Sequence, residues 1–223
     1  MPFFRGKTSG SSRKPAQYGR EVVRQITARW IGALVLLGGV PAVLFFALDV
    51  RSLLLVPLEL AAISVMLVVD RWVGADIDRR VRGNRGEEGV GKILTAMSAE
   101  GWCTLHDSVL GRGNIDHIVV GPGGLFTVET KSHRGRIDVE RLDERWLKQA
   151  YAQRKIVETT VDYHAECLLV FSSAYLSRPV SRHRGVVVLP ARMLAEHLKR
   201  RRIIYSAEEI SAIYAAIRSR DHL

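Results

Sequence analysis

Three residues, Asp116, Glu129 and Lys131, combine types and spacing that can do chemistry. Strand alternation puts Leu125, Thr127, Glu129 and Lys131 on one face of a strand. On the strand before it, Asp116, Ile118 and Val120 share a face. Gly121-Pro122-Gly123-Gly124 joins the two as a tight turn. Whether that turn closes at Gly121–Gly124 or at Val120–Leu125, Asp116 falls directly opposite Glu129. Cross-strand partners hold their Cβ atoms about 4.5–5.5 Å apart, and like charges there repel. Such a pair calls for something positive between its members. The Lys131 ammonium, two residues along on the same face, is one candidate, and a divalent cation is the other.

The elements that must position these groups follow from periodicity. Val90, Ile93, Leu94 and Met97 recur at helical spacing, which predicts a helix from near Glu87 to Gly101. Glu87 lies one turn before Val90 and so points toward the apolar face. The glycines in Gly83-Asn84-Arg85-Gly86 break the pattern ahead of it. Three strands are expected at about 102–110, 114–120 and 124–131, then a short strand pair over roughly 135–147, bent at Asp143-Glu144. A long helix over about 147–165 precedes two short apolar strands, near 167–171 and 185–189. Helices near 191–201 and 206–219 close the chain. The order is helix, three-strand meander, helix, strand: an α/β domain.

An acid on a helix, an Asp on one strand and Glu-x-Lys on the next resembles the PD-(D/E)xK nuclease arrangement. More closely, residues 83–149 are similar to the nuclease-related domain family known as NERD. The matching segments are Gly83-Asn84-Arg85-Gly86-Glu87, Ile115-Asp116-His117, Gly121-Pro122-x-Gly124, Val128-Glu129-Thr130-Lys131 and Gly135-x-Ile137. A Gln follows within Trp146-Leu147-Lys148-Gln149, here without the Pro that often precedes it in the family. The resemblance implies a restriction-endonuclease-like core that uses Mg²⁺ or Mn²⁺. Asp116, Glu129 and the Thr130 carbonyl would be ligands. Lys131 would orient the attacking water or help deprotonate it, Glu87 would position a metal-held water, and Gln149 would contact phosphate or water. The implied partner is nucleic acid, DNA ahead of RNA. His117 falls on the face away from Asp116 and reads as structural.

Composition bounds the remainder. Two cysteines, Cys103 and Cys167, exclude a disulfide scaffold and a four-thiolate zinc site. The net charge is +10, but residues 1–29 carry +6 of it and residues 83–223 only +4. Residues 1–29 read as a basic cytoplasmic leader. Residues 30–48 carry no charge and residues 52–69 only Glu59, so 30–73 reads as a two-helix transmembrane hairpin in the bilayer. The basic flanks on both sides then put both termini in the cytoplasm and the chain in the inner or plasma membrane as a multi-pass protein. Residues 74–82 would link it to a nuclease-related domain over 83–223. Glu59 reads as an acid bonded within the hairpin or as a polar contact between protomers of a homo-oligomer. The leading functional reading is a membrane-anchored, metal-dependent phosphodiesterase. The mild charge of the domain and the lack of an aromatic stacking strip in the sequence support the alternative, a non-catalytic module that binds nucleic acid or protein.

Overall fold

The computed structural model describes residues 81–221 apart from Arg112, together with scattered helical residues between 24 and 68. The chain divides into two compact units, with the boundary between Asn84 and Arg85. Helix α1 covers residues 81–96 and passes into a 3₁₀ turn, Met97–Glu100, which Gly101 ends at φ 82°. Gly83-Asn84-Arg85-Gly86 therefore lies within a helix. Glycine costs up to about 1 kcal/mol relative to alanine at such positions, so packing sets this helix against its own propensity.

Three antiparallel strands follow: β1 (Cys103–Leu110), β2 (Gly113–Gly121) and β3 (Gly124–Lys131). β4 (Gly135–Ile137) leads into α2 (Glu144–Val161), which delivers the chain to β5 (Ala165–Phe171), parallel to β3. β6 (Ala174–Leu176), β7 (Ser181–His183), β8 (Val186–Pro190), α3 (Leu194–Lys199) and α4 (Ala207–Arg218) complete the order. The central sheet runs β1-β2-β3-β5-β8-β7, a mixed α/β fold that fits a nuclease-like core.

Alternation along β2 and β3 splits the core. Val119, Phe126 and Val128 face α1 and pack on Val90, Leu94 and Met97. Ile118, Val120 and Leu125 face the other way, onto Val157 of α2 and Ile210 and Ile213 of α4. Strand β5 is buried on both sides, by α1-side residues at Leu168 and Val170 and by Leu147 and Ala150 of α2 at Cys167 and Leu169. That is the pattern of a parallel central strand covered by helices.

Three expectations are corrected. The strand pair over 135–147 is a single short strand, β4, which pairs in parallel with β6 about forty residues later. Asp143 is the N-cap of α2 instead of a strand bend, because its carboxylate accepts from the Arg145 amide. The multi-pass membrane placement with a bilayer-embedded hairpin is also corrected: among the described residues no helix is long and apolar enough to cross a membrane. A span needs about 20 apolar residues in register. The longest described helix with printed bounds, Glu144–Val161, has 18 residues and carries Arg145, Lys148, Arg154 and Lys155. Most of residues 30–73, Glu59 included, and all of residues 1–23 lie outside the described residues.

Candidate active site

The turn closes at Gly121↔Gly124, as one of the two expected closures has it, and the β2–β3 ladder runs to His117↔Val128. There the paired register stops. The next position on β2 is Asp116, and its carboxylate takes over the role of a ladder acceptor: the Thr130 amide donates to Asp116 Oδ2 at 2.7 Å. On its other edge β3 pairs with β5 from Leu125↔Ala165 on, and that ladder goes past the end of β2's, through Glu129↔Leu169 to Lys131↔Phe171. The sheet is thus forked at the point where the acids sit.

Glu129 is 2% exposed. Both of its oxygens have donors. Lys131 Nζ donates to Oε1 at 2.6 Å, and Gln153 Nε2 donates to Oε2. Lys131 Nζ also donates to Gln149 Oε1 at 3.0 Å. Helix α2 therefore clamps both members of the Glu-x-Lys pair through Gln149 and Gln153, which are four residues apart on one helix face.

Asp116 has no such clamp. Burial pushes its carboxyl well above the usual carboxylate range, and the charges of Glu129 and Glu87 push it further. The Thr130 amide and the Lys131 ammonium pull the other way with less effect. Glu87 reaches this electrostatic neighbourhood because α1 meets the strand ends at backbone distance. A Cβ on Gly86 would stand 2.7 Å from Ser172 Oγ and 3.0 Å from Ser132 Cβ.

The structure thus brings Glu87, Asp116, Glu129, Thr130, Lys131 and Gln149 into one neighbourhood. Thr130 enters through its amide, and its buried hydroxyl has no partner. Gln153 is the member that sequence reasoning missed. It stands in the buried stripe Leu147, Ala150, Gln153, Val157 of α2, where a polar side chain is out of place. That misplacement was the available signal. Its Nε2 also reaches the Asn114 carbonyl at 3.3 Å, tying α2 to β2. Among the described residues no three His, Cys, Asp or Glu side chains are placed to share an ion. Two carboxylates, a carbonyl and waters still form a set that Mg²⁺ accepts, since it binds through one or two carboxylates and keeps several waters.

His117, the next residue on β2, turns to the opposite face. Its Nδ1 lies 2.9 Å from Nδ1 of His106, the cross-strand partner, and the rings meet edge to face. Thr95 of α1 donates its hydroxyl proton to the Gly91 carbonyl, so it accepts from His106 Nε2 at 3.1 Å. His106 Nδ1 must then accept from His117 Nδ1–H. Burial lowers His106 to about 4. Burial and the His106 charge lower His117 to about 3, while the backbone of Glu87 opposes that shift.

Residues 82–190 match the nuclease-related domain, NERD. The match covers every residue of the acid cluster and all six strands of the central sheet. An uncharacterized protein of Bacillus anthracis is 25% identical over 129 residues, which are 49% of this chain and 60% of that protein. The chain thus spans about 60% of the length of that relative. Among solved structures, a protein of unknown function, AF1548, aligns over 60% of this chain and 96% of its own at 13% identity, with a TM-score of 0.34. SfsA of Pyrococcus furiosus, in complex with Ca²⁺, aligns over 63% of this chain and 55% of its own at 18% identity and a TM-score of 0.27. Both scores fall below the level at which a common fold follows.

Proposed function

We propose that this domain is a nuclease, hydrolysing phosphodiester bonds of nucleic acid with Mg²⁺ or Mn²⁺ bound at Asp116 and Glu129, with the Thr130 carbonyl beside them. The observation that carries the reading is the fork in the sheet: it gathers Asp116, Glu129 and Lys131 at the end of the β2–β3 ladder. Burial raises the proton affinity of Asp116, and Glu129 and Glu87 raise it further. A buried carboxylate in that state is relieved either by a proton or by a cation. When bound, the cation would polarise the phosphate and lower the pKa of a bound water. The chain's own residues divide the remaining work. Lys131 is held by Glu129 and Gln149 and offers an ammonium to a phosphate oxygen or an attacking water. Gln153 keeps Glu129 oriented from behind. The match to the nuclease-related domain supports this reading.

The test is hydrolysis of labelled DNA and RNA by the full chain, with Mg²⁺, with Mn²⁺ and with chelator. Metal-dependent cleavage that Lys131→Ala abolishes is the expected result. Cleavage at the wild-type rate by Lys131→Ala would remove the proposed mechanism. One observation favours the non-catalytic alternative: Glu129 is already neutralised by Lys131 and Gln153. A wild-type melting temperature that ignores millimolar Mg²⁺ and Mn²⁺ would select that alternative.

A further inference from the structure

Beside the acid cluster the fold assembles an aromatic and cationic strip that the sequence keeps apart. β3 ends at Lys131, and two residues on, the exposed His133 ring packs tilted against Trp146 with centroids 4.7 Å apart at 51°. Trp146 is itself held edge-on by the buried Phe171 at 5.6 Å. It lies three residues before Gln149 on α2, so the aromatic pair and the Lys131–Gln149 pair share one helix face. β4 begins two residues after His133. Arg136 of β4 is the register partner of Tyr175 of β6, and in a parallel pair such partners stand side by side. Tyr175 is 72% exposed, a large ring left in water. Arg134 and Arg136 are exposed as well.

We infer that this strip binds unpaired nucleotides next to the reacting phosphate, which makes the substrate class single-stranded nucleic acid or a single-stranded tail. The inference rests on the nuclease reading for the place of the scissile bond, but its binding chemistry is independent of it. Aromatic faces accept any base by stacking, and flanking cations track the backbone; together they form the recurrent single-strand platform. A paired duplex keeps its base faces stacked on one another and cannot offer them to His133 or Tyr175. Trp146, wedged between His133 and Phe171, serves as the rigid backing of the platform.

The experiment is equilibrium binding of fluorescent oligonucleotides to the full chain in chelator, so that no hydrolysis intervenes. The probes are a single strand, a blunt hairpin duplex of the same length, and the single strand with its bases removed at alternate positions. We expect the single strand to bind about tenfold more tightly than the duplex at equal salt. His133→Ala and Tyr175→Ala, both exposed positions, should each weaken the single strand about tenfold and leave the duplex unchanged. Trp146→Phe, which keeps an aromatic backing, should retain most of the single-strand affinity. Arg136→Ala should weaken strand and duplex alike and reduce the salt dependence by about one ion. Equal affinity for strand, duplex and base-depleted strand overturns the inference, as does a His133→Ala, Tyr175→Ala double variant that binds the single strand like wild type. A protein that cleaves but shows no single-strand preference loses this inference and keeps the nuclease. A protein with the preference but no cleavage keeps the strip and loses the nuclease.

Discussion

Asp116 and His117 are neighbours on one strand, and the sheet buries them on opposite faces in opposite ways. On the His117 side, each hydrogen bond fixes the next, from the Gly91 carbonyl through Thr95 to His106 and His117. Both rings are held neutral, and their charged forms are disfavoured by burial. On the Asp116 side acids outnumber the one ammonium, Lys131, which pairs with Glu129, and Asp116 has a single amide donor and two nearby acids. The first cluster is joined by hydrogen bonds within the protein, save His117 Nε2, which is buried without one. The second is left with unbalanced negative charge, which the proposed cation would offset. The contrast is between a polar group held by hydrogen bonds and one set among like charges. Glu87 touches both, through its charge on one face and its backbone on the other.

The largest expected effect tests whether the open side is in use. Lys131→Ala should lower metal-dependent hydrolysis by about a hundredfold or more, the scale of a lost proton-handling group. It should keep the metal-dependent rise in melting temperature, because an ammonium is not a ligand. Retention of both rate and thermal shift would make the two faces alike.

Next in size is the split within the acid cluster itself. Glu129→Gln leaves the Lys131 ammonium and the Gln153 amide without their charged acceptor, so it should destabilise the metal-free protein by about 1–3 kcal/mol. Asp116→Asn removes the charge that burial and its neighbours oppose, so at neutral pH it should be neutral or stabilising, by up to about 1 kcal/mol. Chemical denaturation in chelator measures both. A folded-state carboxyl raised above its unfolded value binds a proton that the unfolded chain has lost, so its contribution to stability falls as pH rises. The advantage of Asp116→Asn should therefore grow from the ordinary carboxylate range upward and vanish in acid. An Asp116→Asn protein less stable than wild type at pH 7 would mean that Asp116 is paired rather than strained.

The smallest effect belongs to the closed side. A lowered histidine pKa has the opposite sign: the unfolded chain takes up the proton first, so stability is intact above about 6.5 and declines as pH falls toward about 4 for His106 and about 3 for His117. The ring resonances of both histidines should keep their neutral shifts through pH 5. Titration of either near 6.5 would open the cluster and erase the contrast.

Much of this arrangement was legible in the residues because it is local. A two-residue period and a glycine-rich turn fix which side chains meet across a hairpin, so Asp116, Glu129 and Lys131 could be placed together, with His117 turned away. What escaped depends on distant segments. β4 finds β6 rather than a neighbour, and nothing in Gly135-Arg136-Ile137 announces that partner. His133 and Trp146 are thirteen residues apart, and only the β3-to-α2 connection packs them together. Gln153 hid in an apolar stripe, where its amide looked like a fault in the core until Glu129 appeared beneath it. Hydropathy counts the apolar residues of a run but does not build the helix that carries them, and no described helix meets the requirement of a span.

Gly86 carries a consequence of a different kind. With no side chain at that point, α1 rests on Ser132 and Ser172 with nothing between them to compress. Close packing at residue 86 thus fixes how near the start of α1, and Glu87 with it, comes to these two serines. Coulomb energy varies inversely with separation, and at an effective dielectric of about 20 two charges about 4 Å apart interact by about 4 kcal/mol. A methyl group at residue 86 would act as a shim, moving the acid outward with its helix. The Glu87 share of the proton affinity of a carboxyl on β2, which adds to those of burial and Glu129, would thus respond to one missing atom on α1.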